Sequence, residues 1–252
     1  FFQADDGIRD FCLSRGLGDV YKRQYNINTK TGRFVLVDQY ETVGGGIISM
    51  EGYPNQRGRH NVVSTNIEAV ASKIDQKTRA SVNGHTGGII WLTGLSGAGK
   101  STIAMEAERQ LFQKGYQIYV LDGDNIRFGL SADLGCTPAD RTENIRRIGE
   151  VAKLFADAGV VVITAFISPY RDDRNRVRTI APDQFHEVFI KADLSTCETR
   201  DPKGLYKKAI SGEIKGFTGI DAPYEEPQNP EIEIKSMTVE ESVNFIINKL
   251  KF

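Results

Sequence analysis

Eight residues, from Gly94 to Ser101, carry the clearest chemistry in the sequence. They read Gly-Leu-Ser-Gly-Ala-Gly-Lys-Ser and match the phosphate-loop pattern G-x-x-x-x-G-K-[ST] in full. Glycines let successive backbone N–H groups turn toward phosphate oxygens, and the helix that follows adds its positive end. In this pattern Lys100 reaches the outer phosphates as a catalytic residue, and the Ser101 hydroxyl ligates Mg²⁺. We predict a nucleotide site made by Gly94, Leu95, Ser96, Gly97, Ala98, Gly99, Lys100, Ser101 and Thr102.

Acidic residues follow the second predicted strand, where Asp122-Gly123-Asp124 comes directly after an apolar run at 118–121. In an open parallel sheet, ligands bind at the carboxyl ends of the strands. A carboxylate there can order metal-bound water or accept a proton from an acceptor hydroxyl. We therefore predict that Asp124 is catalytic. A turn with an Asp helix cap is the simpler alternative.

A long helix, predicted over 141–158, offers groups for an anionic acceptor. Arg141 and Asn144 are three residues apart and share one face near the positive helix end. Arg127 precedes them in the chain. Guanidinium and amide groups suit a phosphate-like ligand, although a solvated charged face has the same pattern. Asp140 is predicted to cap this helix.

Two further segments fall at the same edge of the predicted sheet. Ser168 follows the third strand and precedes a proline, so it is either a site residue or part of a turn. Residues 200–220 contain Phe217 and are rich in Lys and Gly. We predict that they form a lid that closes over both substrates and excludes water. A solvated helix and loop is the alternative.

Apolar runs and helical stripes alternate regularly from residue 87 onward. Strands are predicted at 89–92, 118–121, 160–163, 188–190 and 232–234, and helices at 101–114, at 141–158 and from Thr238. Alternating strands and helices form parallel sheets that are covered on both faces. We predict an α/β fold of the P-loop NTPase type, with a mainly parallel five-stranded sheet and a short β-barrel remnant before it.

The chain divides by composition into four predicted segments. They are 1–24, artefact or disordered; 25–50, a β-barrel remnant; 51–84, a linker and helix; and 85–252, the main domain. Strands are predicted at 34–38 and 44–48. A helix is predicted over 67–80, with Val70 and Ile74 on one face. The sequence has no initiator Met, and we expect it to be a fragment of a longer protein.

Charge and cysteine content exclude some classes of protein. The formal net charge is −1, so no basic excess points to nucleic acid or a membrane surface. The longest apolar runs fall short of the roughly 18 residues that a membrane span needs. The three cysteines Cys12, Cys136 and Cys197 have no metal-ligand spacing, which favours a reducing compartment. We expect a cytoplasmic protein.

These segments together resemble adenylylsulfate kinase, the family that uses ATP and Mg²⁺ to phosphorylate the 3′-hydroxyl of adenosine 5′-phosphosulfate. The match rests on GLSGAGKST (94–102), LDGDNIRFGL (121–130), DRTENIRRIGEVAKLFADAG (140–159), FISPYR (166–171), RDPKGLYKKA (200–209) and FTGIDAPYE (217–225). The resemblance implies that Asp124 lies near the reacting hydroxyl and that Phe217 stacks on the acceptor adenine. It implies a substrate-binding set of Asp122, Arg127, Arg141, Asn144, Ile167, Ser168, Lys203 and Phe217. Ser168 also matches a serine assigned in bacterial members as a phosphoserine intermediate.

The sequence departs from the family at Cys136, where many members have an aromatic residue that forms the second face of an adenine sandwich. Loss of that face implies weaker acceptor binding with the same chemistry.

Residues 1–24 resemble translated sequencing-adapter sequence, and residues 25–50 resemble the β-barrel end of the large GTPase subunit of ATP sulfurylase. In some bacteria that subunit is fused to this kinase. The resemblance implies the C-terminal domain of a bifunctional protein, with the sulfurylase small subunit as a partner, and a homodimer. Alternatives are another P-loop metabolite kinase, a non-catalytic channelling module and a GTP switch. The last lacks a guanine-specific Asn-Lys-x-Asp after the fourth strand.

Overall fold

The computed structural model describes residues 33–38, 41–47, 70 and 72–252. The chain divides into two units after residue 67. In the first unit, strands β1 (Arg33–Asp38) and β2 (Glu41–Ile47) form an antiparallel hairpin. This confirms both predicted strands, although the second begins earlier than expected. The assignment of 25–50 to a barrel stays a prediction, and the segments at 1–24 and 51–66 lie outside the described residues.

The second unit is built on one five-stranded parallel sheet. Its strands are β3 (Gly88–Thr93), β4 (Ile118–Asp122), β5 (Val161–Ala165), β6 (Phe185–Lys191) and β7 (Ile232–Lys235). The order across the sheet is β4-β5-β3-β6-β7, and every pair is parallel. All residues of β3 and β5 are buried. Strands covered on both faces read as continuous apolar runs, which is why the sequence identified them.

Eight helices accompany the sheet among residues 72–252. They are α1 (Gln76–Asn83), α2 (Lys100–Gln113), α3 (Gly123–Phe128), α4 (Pro138–Asp157), α5 (Arg171–Ile180), α6 (Leu194–Arg200), α7 (Leu205–Ile210) and α8 (Val239–Lys249). Ile90 and Leu92 share a core with α2 and α8, whereas Ile89 and Trp91 share another with α4 and α5. Helices therefore cover both faces, as predicted. Within the described part of the chain, no helix is both long and apolar enough for a membrane span.

Two predicted helix starts are wrong. The helix expected over 67–80 begins at Gln76, after the Asp75 carboxylate accepts from the backbone N–H of Thr78. Val70 is 95% exposed, so the proposed apolar face is not buried. The spacing of apolar residues was misleading here because a side-chain cap fixed the start further along the chain.

The long helix α4 begins at Pro138, three residues before the predicted start. Thr137 is its N-cap, and Thr137 and Asp140 exchange hydrogen bonds in a capping box. Asp140 is therefore the third residue of the helix rather than its cap. Proline suits the first helical position because its missing N–H would have no partner there. Arg141 and Asn144 consequently lie one turn further from the helix end than we expected.

Candidate active site

The phosphate loop connects β3 to α2, as its motif requires. Gly94, Gly97 and Gly99 all have positive φ, of 149°, 74° and 104°. A Cβ at Gly94 would lie 2.5 Å from the carbonyl oxygen of Ile190, and one at Gly97 would lie 3.0 Å from that of Cys197. Both positions therefore need glycine for conformation and for space. The loop is closed on one side by neighbouring backbone.

Lys100 is buried at the start of α2. Its Nζ donates to the carbonyl oxygens of Gly94 and Leu95, at 2.9 and 2.7 Å. Burial lowers the pKa of this amino group to about 8. A cation held inside a glycine-rich loop suits the outer phosphates of a nucleotide.

Ser101 and Asp122 meet across the ends of α2 and β4. The Ser101 hydroxyl donates to Asp122 Oδ2 at 2.7 Å, while Asp122 Oδ1 accepts from the backbone N–H of Asp124 at 3.1 Å. A hydroxyl and a carboxylate are oxygen donors of the kind that Mg²⁺ prefers, and this ion usually takes few protein ligands beside substrate phosphates. The residues present therefore fit the predicted metal site. In the described part of the chain no cluster of three acidic, His or Cys residues offers another.

Asp124 lies just beyond this pair, at the start of α3. Its carboxylate forms a close ion pair with Lys203, which lies between α6 and α7. Both side chains are more than half exposed, so solvent screens the pair strongly. Asp124 is thus accessible to a substrate, and the predicted lid contacts the predicted catalytic carboxylate.

Of the two predicted acceptor-binding residues on α4, Arg141 contacts the segment that precedes β7. Arg141 donates to Thr218 Oγ1 at 2.7 Å and to the carbonyl of Gly216. Asn144 is 5% exposed, and its Oδ1 has no hydrogen-bond partner. A buried amide oxygen without a partner costs free energy, and a donor group on a bound ligand would remove that cost. Arg127 instead donates to the carbonyls of Leu134 and Gly135, beside the exposed Cys136.

Ser168 is a buried, hydrogen-bonded residue rather than an open nucleophile. It is 2% exposed and has a φ of 39°, which is unusual for a residue with a side chain. Its hydroxyl accepts from Trp91 Nε1 at 3.1 Å and donates to Thr93 Oγ1 at 3.0 Å. Thr93 in turn donates to the carbonyl of Ile167 at 2.8 Å. These bonds fix the end of β5, where the acceptor pocket was predicted.

Phe217 is buried in the segment that precedes β7. Its ring packs edge-on against Tyr206 of α7, with centroids 5.0 Å apart. The Tyr206 hydroxyl donates to the carbonyl of Ser96 at 2.9 Å. Tyr206 therefore contacts both the phosphate loop and the predicted adenine-stacking residue.

Asp221 closes the turn beside Phe217. The backbone N–H groups of Gly216 and Phe217 lower the pKa of its carboxyl group. The turn that carries Phe217 and Thr218 is thus held by a carboxylate that stays ionised at neutral pH.

The structure thus brings most of the predicted site residues to one edge of the sheet. It also shows groups that the sequence reading missed, namely Trp91, Thr93, Arg174, Tyr206 and Tyr224. Arg174 lies on α5, a helix that was not predicted. The sequence feature that could have indicated Arg174 is a group of four arginines within 171–178, beside the apolar residue Val177. Such a group is more typical of a solvent-exposed charged face of a helix. The roles of individual residues stay predictions.

A parallel sheet with a glycine-rich loop between β3 and α2 defines a P-loop nucleotide-binding protein. The model of the adenylylsulphate kinase family matches residues 86–235, more than half of the chain. The chain belongs to this family.

Two bacterial relatives have the name adenylyl-sulfate kinase. The Geotalea uraniireducens protein is 62% identical over 168 residues, which cover 66% of this chain and 81% of the relative. The Bacillus licheniformis protein is 66% identical over 151 residues, which cover 60% of this chain and 77% of the relative. The match therefore spans most of each relative.

Solved structures give the same fold. The Mycobacterium tuberculosis APS kinase in complex with AMPPNP and APS is 48% identical, with a TM-score of 0.63, and the match covers 66% of this chain and 98% of that one. A hexameric APS kinase from Thiobacillus denitrificans is 31% identical, with a TM-score of 0.52, over 69% of this chain and 30% of that one. These likenesses confirm the predicted fold and family.

Proposed function

We propose that this chain transfers the γ-phosphate of ATP to the 3′-hydroxyl of adenosine 5′-phosphosulfate, which gives 3′-phosphoadenylylsulfate and ADP. Family membership supports the reaction, and a similar structure was solved with an ATP analogue and APS. The observation that carries the acceptor assignment is the pair on α4. The buried amide oxygen of Asn144 has no partner and can accept from an N–H or O–H group of the acceptor nucleoside. The Asn144 amide NH2 and the Arg141 guanidinium, one turn away, can donate to its phosphosulfate.

In this reaction the phosphate loop and Lys100 hold the outer phosphates of ATP in place. Ser101 would hold Mg²⁺, with Asp122 as a second oxygen donor, and the bound ion would supply neutralising charge at the phosphates. Asp124 would accept the proton of the attacking hydroxyl. Phosphoryl transfer needs positioning and charge stabilisation more than covalent chemistry, so a direct transfer is sufficient.

On the acceptor side, Arg127, Arg141 and Asn144 bind the phosphosulfate, while Ile167 and Ser168 line the pocket. Lys203 and Phe217 belong to the lid, with Phe217 against the acceptor adenine. In the structure Lys203 pairs with Asp124, and Phe217 lies against Tyr206. We expect Lys203 to exchange its partner for the negatively charged acceptor when both substrates are bound.

A coupled ADP-release assay tests the proposal. The full chain is mixed with ATP, Mg²⁺ and adenylylsulfate, and shikimate, gluconate and AMP serve as control acceptors. We expect ADP release to depend on adenylylsulfate. Equal or greater turnover with a control acceptor would assign the chain to another class of metabolite kinase, and ADP release that no acceptor increases would contradict acceptor phosphorylation.

We further propose that the kinase is the C-terminal domain of a bifunctional cytoplasmic protein, with the ATP sulfurylase small subunit as a partner. The support is the resemblance of residues 25–50 and the β1–β2 hairpin within them. An antibody to this chain should detect, in source cells, a polypeptide well above 28.0 kDa that co-purifies with sulfurylase activity. A product of 28.0 kDa alone would contradict the fusion.

The chain is also proposed to form a homodimer, by family resemblance. The Thiobacillus denitrificans protein is described as hexameric, so a dimer and a hexamer are the two assemblies to be distinguished. Sedimentation equilibrium separates them, because a dimer has twice and a hexamer six times the mass of one chain.

A further inference from the structure

Arg174 is an arginine with 2% exposure in the interior of the second unit, on α5. We propose that Arg174 is a positioning residue that holds the two walls of the acceptor pocket together. The inference rests on the proposed function, because it concerns the pocket for adenylylsulfate. The evidence is that the guanidinium group forms hydrogen bonds to three separate segments of the chain.

Each nitrogen of the Arg174 guanidinium group bonds to a different segment. Nη1 donates to the carbonyl of Ser168 at 2.6 Å, and Nη2 donates to the carbonyl of Glu225 at 2.7 Å. Nε donates to Glu187 Oε1 at 2.7 Å, which anchors the group to β6. Residues 166–171 and 217–225 both belong to the motifs that suggested the acceptor. A planar fork with fixed donor directions can hold two carbonyls in register, and a lysine cannot reproduce this geometry.

The two walls also contact each other next to Arg174. Glu225 N donates to the carbonyl of Pro169 at 2.9 Å, and Arg171 N donates to Glu225 Oε2 at 2.8 Å. Tyr224 places its hydroxyl 3.0 Å from Thr93 Oγ1, which also accepts from Ser168. The polar groups behind the pocket therefore form one connected network, in which the Arg174 guanidinium group joins the two walls.

Ser168 needs this support because of its backbone conformation. Its φ of 39° costs free energy and persists when surrounding contacts fix it. Trp91 and Thr93 hold its hydroxyl, and Arg174 holds its carbonyl. Without the Arg174 fork, Ser168 can relax toward an ordinary conformation, which would move neighbouring Ile167 in the acceptor pocket.

Arg178 provides a matched control on the same helix, one turn further along. It also pairs with Glu187, at 3.3 Å, and it pairs with Glu231 at 2.5 Å. Both of these partners are carboxylates outside 166–171 and 217–225. Its side chain is 30% exposed. Arg178 thus shares the ion-pair network with Arg174, but not the bonds to the pocket walls.

The test compares Arg174→Lys with Arg178→Lys in the full chain. We expect Arg174→Lys to raise the KM for adenylylsulfate by about tenfold or more and to leave the KM for ATP nearly unchanged. Arg178→Lys should leave both KM values unchanged. An unchanged acceptor KM in a folded Arg174→Lys protein, or an equal rise in both KM values, would overturn the proposal.

Two further measurements keep the result decisive. Trp91 is the single tryptophan of the chain and donates to Ser168, so its fluorescence reports the pocket without turnover. Arg174→Lys should shift the Trp91 emission, and Arg178→Lys should not. The same emission from both variants would contradict the positioning role. This measurement does not depend on kinase activity, so it also separates the positioning role from the proposed function. If Arg174→Lys does not fold, the neutral double variant Arg174→Gln/Glu187→Gln removes both buried charges together and should show the same selective rise in acceptor KM.

Discussion

The two sides of the candidate site are built in different ways. The phosphate side is one continuous stretch, 94–102, shaped by backbone conformation and closed by neighbouring carbonyls. The acceptor side joins segments far apart in the chain through side chains. Arg141 and Thr218 are 77 positions apart, and Arg174 and Glu225 are 51 positions apart. Changes to the first side should therefore act on ATP and the chemical step, and changes to the second should act on the acceptor.

The largest effect is expected on the phosphate side. Lys100→Ala removes the buried cation that is proposed to hold the outer phosphates of ATP, and kcat should fall about 100- to 1000-fold. Steady-state kinetics with both substrates measure this fall. Lys114→Ala, an exposed lysine just after the same helix, is the control and should be nearly silent. If kcat of Lys100→Ala stayed close to the wild-type value, the phosphate loop lysine would have no part in the reaction.

A smaller and more selective effect is expected for Arg141→Ala. Loss of charge-assisted hydrogen bonds should raise the KM for adenylylsulfate by about 10- to 100-fold, while the KM for ATP changes little. Arg146→Ala, which breaks a pair with Glu143 on the same helix, is the matched control. Equal changes in both KM values would show that the two sides are not separable.

The pH dependence of ATP affinity tests whether the charge of Lys100 contributes to ATP binding. The pKa of Lys100 is lowered by burial to about 8, so the free protein loses this charge as the pH rises through 8. The Kd for ATP should then increase by up to about tenfold per pH unit above 8. Calorimetry between pH 7 and 9 measures this slope. In Lys100→Ala the slope should be absent, and an equal slope in that variant would assign it to another group.

The smallest effect is expected at Cys136, on the acceptor side. If the proposed adenine site is correct, Cys136→Phe supplies a second aromatic face for the acceptor adenine, and the KM for adenylylsulfate should fall about fivefold. ATP kinetics should stay the same. Cys136→Ala removes the thiol without adding an aromatic ring, so it is the control and should not lower the acceptor KM. An unchanged or higher acceptor KM in Cys136→Phe would mean that this position does not contact the adenine.

The strand, loop and helix of the phosphate side were predictable from the sequence because the information for them is local. The glycines, Lys100 and Ser101 are contiguous, and the strand and helix around them have clear periodicity. The five strands of the sheet and the helices α2, α4 and α8 were predictable for the same reason. The N-cap of α4 was not, because Thr137 and Asp140 compete for that role and the side-chain bonds decide between them.

On the acceptor side, the sequence indicated some candidate residues and missed others. Arg141 and Asn144 stand out because their spacing places them on one helical face. Arg174 does not stand out, because an arginine among other charged residues is expected to be exposed. Its partners are backbone carbonyls, which every residue type has, so the sequence does not identify them. Burial of a charged residue depends on contacts between distant segments, and one sequence does not reveal those contacts.

The position of the transferred phosphate tests the proposed reaction most directly. The full chain is incubated with Mg²⁺, adenylylsulfate and ATP labelled in the γ-phosphate, and the products are separated and identified by ³¹P NMR. We predict that the label appears as a phosphomonoester on the 3′-oxygen of the acceptor and that a 3′-deoxy acceptor gives no labelled product. Label found as inorganic phosphate, or retained on Ser168 of the protein, would contradict direct transfer to adenylylsulfate.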